Sequence, residues 1–472
     1  MDSLTVPKAS PTSLPELAAF LTPFSPLFRR AESRESLERY VTGLLTDLAR
    51  KNCDTIAAAV AGTSTERLQH LLTDADWDPL ALDAARVRQL AASSPPDGIL
   101  ALDDSGLPKQ GKQSVGVRPQ YCGALGKIAN CQVVVSAEYI ADEPSSSAPL
   151  HWPVSGRLFL PERWAADAER RKQTHVPEDV TFQTKPQLAL SLIDRATRWG
   201  VPFRFVTVDA GYGDNPTFLD GLEERELQYV CAVERTFGVR LPEEVQAAAV
   251  ATPEKPKGKG RPKLARAAPL HTVEAVVASQ PESAWQTITW REGPKGPLRK
   301  QFLALRAHRA TGNPATGPHG RSVRHGTMST GSQGWILAER PVPGDEGERK
   351  WYYANLPATA TLHRLVTIAH SRWLIEQFYE DGKGECGLDD YQGRRWDGFH
   401  RHLALVMLTY SFLMIQRHTA SDPLDGGLSP LSTPVVPGDA PAGPHLAVSR
   451  SRPLADRGRP RQTLPSTPQL TK

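Results

Sequence analysis

The sequence predicts an α/β protein built on a mixed sheet with flanking helices, preceded by a helical N-terminal domain and interrupted by a β-rich insertion. Three observations predict it. Apolar residues recur at helical spacing from residue 15 to about 92. From about 95 to 235 the pattern gives three strands, a helix, a strand, a helix and a strand. From about 235 to 350 strand-like segments alternate with Gly/Pro-rich turns, and helical spacing then returns.

Within the first region, SRESLERYVTGLLTDLARKN sets Leu37, Tyr40, Val41, Leu44, Leu45 and Leu48 near one face, and Ser64 is a helix-start signal. A helical bundle and a helical DNA-end-binding domain both fit residues 1–94. SSPPDG marks the next boundary. GILALDDSG, KIANCQVVVSAEYI and APLHWPVSGRLFL then read as strands, KPQLALSLIDRATRWG as a helix, and FRFVTVDAGYGDNPTFLDGLEERELQYVCAV as strand, helix, strand, with Asp214 or Asn215 as cap and Pro216 in the first turn. This first part of the core spans 95–235. Residues 236–354 hold a basic loop and four strand-like segments, TITWREG, KQFLALRAH, GWILAER and KWYYANL. The core resumes over 355–420, with helix from about 361 to 383 and again along GFHRHLALVMLTYSFLMIQRH. Residues 421–472, rich in Pro, Ser and Gly, read as a disordered tail.

Composition narrows the function. Hydrophobic content of 39% supports a packed core, and no apolar run reaches membrane-spanning length. MDSLTVPKASPTSLPELAAF lacks the basic start and apolar stretch of a secretory signal, so a cytoplasmic protein is expected. The five cysteines include no C-x-x-C pair, which argues against a zinc site or disulfide framework. A net charge of +4 says little about nucleic acid, because clustering matters more than the total.

The chemistry-bearing residues are acids. LALDDSG ends a predicted strand with Asp103 and Asp104, and FVTVDAG ends another with Asp209. On a helix at about 100° per residue, Arg372, Glu376, Tyr379 and Lys383 of SRWLIEQFYEDGKGEC fall within roughly 60° of one another, while Ile375 and Phe378 face elsewhere. Alone, that stripe reads as exposed ion pairs, and each aspartate as a turn residue. Together, two strand-end acids and a helical acid between cations can hold two hard divalent cations, the arrangement used in phosphoryl transfer.

These residues resemble a DDE transposase of a bacterial insertion sequence, whose catalytic core is RNase H-like with a β-rich domain inserted before the glutamate-bearing helix. The likeness covers about 95–235 and 355–415. The family's helical signature is tyrosine, arginine, glutamate and lysine at fixed spacing. Arg372, Glu376 and Lys383 match its last three positions, and Ala369 stands at the tyrosine. The resemblance implies Asp104, followed by the hydroxyl residue Ser105, as the first metal-binding acid with Asp103 as rival, Asp209 as the second and Glu376 as the third. It implies two Mg²⁺ ions, with Mn²⁺ able to substitute, and Arg372 and Lys383 on DNA phosphates. It further implies double-stranded DNA as partner (the element's terminal inverted repeats and the target), a homodimer in a synaptic complex, and cleavage followed by strand transfer. A related metal nuclease without joining activity, or an inactive DNA-binding relative, is the alternative.

Other features have two readings each. KPKGKGRPKLAR, with Lys259, Arg261 and Lys263, resembles an AT-hook around Gly260-Arg261-Pro262, or is a solvated basic loop. Arg394, Arg395, Trp396, His400, Arg401 and His402 form a basic, aromatic cluster that suits DNA or the polar edge of a helix. His151 and His370 read as structural. SVGVRPQYCGALGK is Gly-rich without phosphate-loop spacing.

Overall fold

The computed structural model describes residues 14–143, 149–250, 268–293, 296–311 and 329–421. Its N-terminal helices are α1 (Pro15–Leu21), α2 (Ala31–Leu45), α3 (Cys53–Ala59), α4 (Thr65–Thr73) and α5 (Pro79–Ala92). Their starts are chemically marked. Asn52 and Thr55 form a reciprocal capping box on α3, and Ser64 caps α4 by accepting the Arg67 N–H.

The centre is a mixed sheet. Its first strands are β1 (Gly98–Pro108), β2 (Arg118–Cys122), β3 (Lys127–Ile140) and β4 (His151–Leu158). The short helices α6 (Glu162–Ala165) and α7 (Ala168–Gln173) lead to α8 (Lys185–Arg198), which Thr184 and Gln187 cap reciprocally. Then follow β5 (Phe203–Val208), α9 (Ala210–Gly213), α10 (Pro216–Glu223), capped by Asn215, and β6 (Gln228–Val233). Strand β3 pairs antiparallel with both β4 and β1, and β5 and β6 run parallel to β1. The resulting order β4-β3-β1-β5-β6, three antiparallel strands followed by two parallel ones, makes the core RNase H-like.

The next stretch contains β7 (Gly238–Arg240), α11 (Pro242–Val250), β8 (His271–Thr272), α12 (Val273–Ala278), β9 (Gln286–Gly293), β10 (Gly296–Thr311), β11 (Ser329–Arg340) and β12 (Lys350–Ala354). These strands continue the same sheet, because β12 pairs with β6 and with β11, and β11 with β10. Buried Arg309 of β10 adds a polar tie to the core: its guanidinium donates to Asp220 and Glu223 of α10.

The chain returns through α13 (Leu362–Ser371), α14 (Trp373–Gly384) and α15 (Trp396–Ser421). The expected single helix over 361–383 is therefore two helices joined at Arg372. One core fills the sheet face covered by α13, α14, α15 and the N-terminal helices, where α14 contributes Leu374, Ile375 and Phe378. Burying each such side chain is worth about 1.5–3 kcal/mol. A second core fills the opposite face, under α8, α10 and α12.

Candidate active site

Strand β1 explains where the acids lie. Its parallel pairing with β5 ends at Leu102↔Val208, so Asp103 and Asp209 follow side by side where β5 stops. The expectation that β1 itself ends at its acids needs correction. It runs on to Pro108 against β3, and Asp103 and Asp104 are held mid-strand by pairing with Ser136 and Val135.

Neighbouring residues of a strand point to opposite faces. Asp103 turns toward α14. Its Oδ2 accepts from Arg372 Nη1 at 3.0 Å, its Oδ1 accepts the Asp104 N–H at 2.7 Å, and its carbonyl accepts the Tyr379 hydroxyl at 2.9 Å. Asp104 turns toward α8, where Lys185 Nζ and the Tyr212 hydroxyl donate to it at 2.7 and 2.9 Å. The two aspartates thus do not share a face, and it is Asp103 that lies with the Arg372–Glu376 stripe. The cue from Ser105 favoured Asp104, which remains close to Asp209 through Tyr212, whereas Asp103 is the one in contact with Arg372.

Burial opposes ionisation of the strand-end acids Asp103 and Asp209. Burial and the adjacent Asp209 carboxylate push Asp103 up to about 7, although Arg372 opposes them. Burial likewise raises Asp209, whose carboxylate also caps α9 through the Tyr212 N–H. Glu376 is more exposed, at 55% of its side chain, and is ion-paired with Arg372 four residues earlier. The Arg372 guanidinium therefore bridges Asp103 and Glu376. Among the described residues, no three His, Cys, Asp or Glu side chains are gathered closely enough to hold a metal in this arrangement.

The rest of the stripe is not a solvated ladder. Tyr379 is buried, and its hydroxyl lies 2.7 Å from Ser136 Oγ as well as on the Asp103 carbonyl. Lys383 Nζ donates to Ser105 Oγ at 2.7 Å, and burial lowers its pKa. Arg372, Glu376, Tyr379 and Lys383 run alongside the acid-bearing segment of β1.

With this geometry in view, comparison with known proteins is informative. A family model described as DDE superfamily endonuclease matches residues 23–297, more than half of the chain. The chain belongs to this family. Over 222 residues it is also 27% identical to a probable transposase for insertion sequence element IS701 from Microchaete diplosiphon, covering 46% of this chain and 53% of that protein. The chain thus spans about half the length of that curated relative. The match to the DDE superfamily endonucleases includes Asp103, Asp104 and Asp209 but stops before α14, so Glu376 rests on its signature spacing and on the Arg372 guanidinium it shares with Asp103.

The remaining sequence candidates separate. Lys259, Arg261 and Lys263 lie outside the described residues. Most of the basic cluster after α14 is occupied structurally, and Arg394 is exposed. Arg395 pairs with Asp74 and Asp397, His402 bridges Tyr40 and the Gly387 carbonyl, and His400 lies 2.8 Å from the Trp396 carbonyl. His151 contacts Glu138, and His370 contacts Glu339 while stacking on Trp290. Sequence reasoning missed Lys185 and Tyr212 as site neighbours. Tyr212 had a signal, three residues past Asp209 in its capping turn. Lys185 lies 81 residues from Asp104 and had none.

Proposed function

We propose that the protein is a DNA transposase, acting by metal-dependent cleavage at the ends of an insertion sequence and strand transfer into target DNA. The observation that carries this is the position of Asp103 and Asp209, each one residue past the last pair of the parallel β1/β5 ladder, with Arg372 joining Asp103 to Glu376 of α14. The donor set fits hard divalent cations: it is all carboxylate oxygen, and Asp103 is held up to about 7 by burial and its anionic neighbour, a strain that a cation relieves. Asp103, Asp209 and Glu376 would hold two Mg²⁺ ions, with Mn²⁺ as substitute. Glu376, held by Arg372 in this arrangement, would complete the set. When bound, the metal would supply Lewis-acid stabilisation of the attacking and leaving oxygens.

The chain's own residues do the rest. Arg372 and Lys383 bind phosphate, the guanidinium by a fork and the ammonium as a point charge. Tyr379 fixes the backbone of Asp103, and Lys185 with Tyr212 fixes Asp104 as a positioning residue. We assign residues 1–94 to a helical unit that contributes to DNA-end binding, 95–235 and 355–420 to the catalytic core, and 236–354 to the insertion. The expected partners are terminal inverted repeats and target DNA, with a dimeric synaptic complex in a bacterial cytoplasm. Among the described residues, no helix is long and apolar enough to cross a membrane.

The test is incubation with the element's own ends and Mg²⁺, followed by strand-resolved mapping. Free 3′-OH ends and joined products are expected. Cut but never joined DNA would assign a nuclease, and binding without any cut an inactive relative.

A further inference from the structure

Strands β2 and β3 form a hairpin that the reading above leaves without a role. Its tip exposes three apolar side chains together: Tyr121 at 66%, Ile128 at 72% and Leu125 at 47%. Tyr121 and Ile128 are direct cross-strand partners, so their side chains adjoin on one face. Scattered apolar residues on a surface need no explanation, but a contiguous uncovered group marks a contact.

The hairpin is built to stay in place. Cys122 packs with Cys131 and Val133, and Gln120 Nε2 donates to the Cys131 carbonyl at 2.9 Å. Cys122 also presses on Gly106 of β1, where a Cβ would meet its Sγ at 2.7 Å. Gly106 lies two residues past Asp104 and next to Ser105, which Lys383 holds. The tip is therefore anchored at the rim of the candidate active site.

Charge indicates the occupant. From Ser105 to Ala137 the chain carries Lys109, Lys112, Arg118 and Lys127 and no acid. Lys112, Arg118 and Lys127 are exposed, and Arg170 of the basic helix α7 donates to the Lys112 carbonyl. Edge strand β2 also exposes Pro119, which cannot donate to a ladder and so disfavours an added strand. An apolar, aromatic tip ringed by cations beside a phosphoryl-transfer site suits a nucleobase face.

We infer that the β2–β3 hairpin is a DNA wedge: Tyr121, Ile128 and Leu125 receive unpaired bases of the strand whose phosphates enter the site. This rests on the DNA reading above. The test uses fluorescence anisotropy in chelator, where nothing is cut, on a blunt duplex and on the same duplex with a short unpaired fork. The intact protein should prefer the fork. Tyr121→Ala combined with Ile128→Ser should lose about tenfold or more on the fork, the scale of one lost base stack, with blunt binding within about twofold. Tyr121→Phe should retain the preference, and Lys127→Gln should weaken both probes alike. Equal fork affinity in the double variant, at an unchanged unfolding temperature, overturns the wedge. So does a fall in its sedimenting mass, which would assign the tip to contact between copies. Failure of the intact protein to bind either probe would instead remove the DNA reading beneath it.

Discussion

Replacing Asp103 by asparagine should stabilise the metal-free protein, and only above a definable pH. Burial and the Asp209 charge raise Asp103 from 3.8 to about 7 even with Arg372 beside it. That displacement of about 3 pH units corresponds to roughly 4 kcal/mol at 1.36 kcal/mol per unit. The sign follows from proton counting. Between the unfolded and folded values the native state binds the extra proton, so stability falls as pH rises from about 4 to about 7 and then levels off. The amide keeps the acceptor for the Asp104 N–H, and the loss of the Arg372 attraction is already contained in the displacement to about 7. Unfolding free energies of both proteins, in chelator from pH 4 to 8, should separate by roughly 4 kcal/mol at pH 8 and converge toward pH 4. Mg²⁺ should then narrow the gap at pH 8, since a ligand at a hundredfold excess over its Kd adds about 2.7 kcal/mol to the protein that binds it. A separation that is flat across this range would refute the electrostatic reasoning, and equal Mg²⁺ responses would refute Asp103 as a ligand.

Four further outcomes are expected. Asp103→Asn and Asp209→Asn should abolish nicking, whereas Asp104→Asn should retain slowed nicking because Lys185 and Tyr212 hold it on the other face; strand-resolved gels distinguish them. Glu376→Gln should bind element ends without nicking them, while Arg372→Ala and Lys383→Ala should lose end binding or misplace the cut, as read by gel shift and product mapping. Neutralising Lys257, Lys259, Arg261 and Lys263 should weaken DNA binding and flatten its salt dependence, a slope that a salt titration measures directly. Arg309→Met should cost about 2–3 kcal/mol in thermal unfolding, below the 3–5 kcal/mol of a fully buried pair because Asp220 and Glu223 keep solvent contact.

What the sequence reveals follows the range of the forces involved. β3 was legible because KIANCQVVVSAEYI is dense in β-formers, and α8 because its apolar spacing begins at a Thr–Gln capping pair. β2 was not, because RPQYC contains a proline and takes its strand form from pairing with β3. The two acids of LALDDSG were visible as a pair. Period two guarantees that they face apart, yet which of them faces α14 depends on where a helix some 270 residues later docks, and no local cue records that. The break at Arg372 was hidden for the same reason, since SRWLIEQF has neither glycine nor proline and keeps helical torsions across the joint, φ −56° and ψ −28°.

That joint connects the insertion to the acids. Glu339 of β11 is fully buried, yet its oxygens accept from Lys300 at 2.6 Å and Tyr352 at 3.1 Å and lie 2.7 Å from His370 Nε2. Burial opposes its ionisation, but the His370 and Lys300 contacts outweigh it and draw Glu339 down to about 2. His370 also stacks on Trp290 of β9 at 3.9 Å between ring centres. Two strands of the insertion thus grip the last turn of α13, two residues before Arg372. The guanidinium that bridges Asp103 and Glu376 is consequently positioned from both sides, by β1 through its ion pair and by the insertion through His370. The contacts from β9 and β11 hold the His370 side chain and leave the guanidinium to its two carboxylates. The contribution of these strands to the site is then to fix the helix joint from which Arg372 reaches both carboxylates.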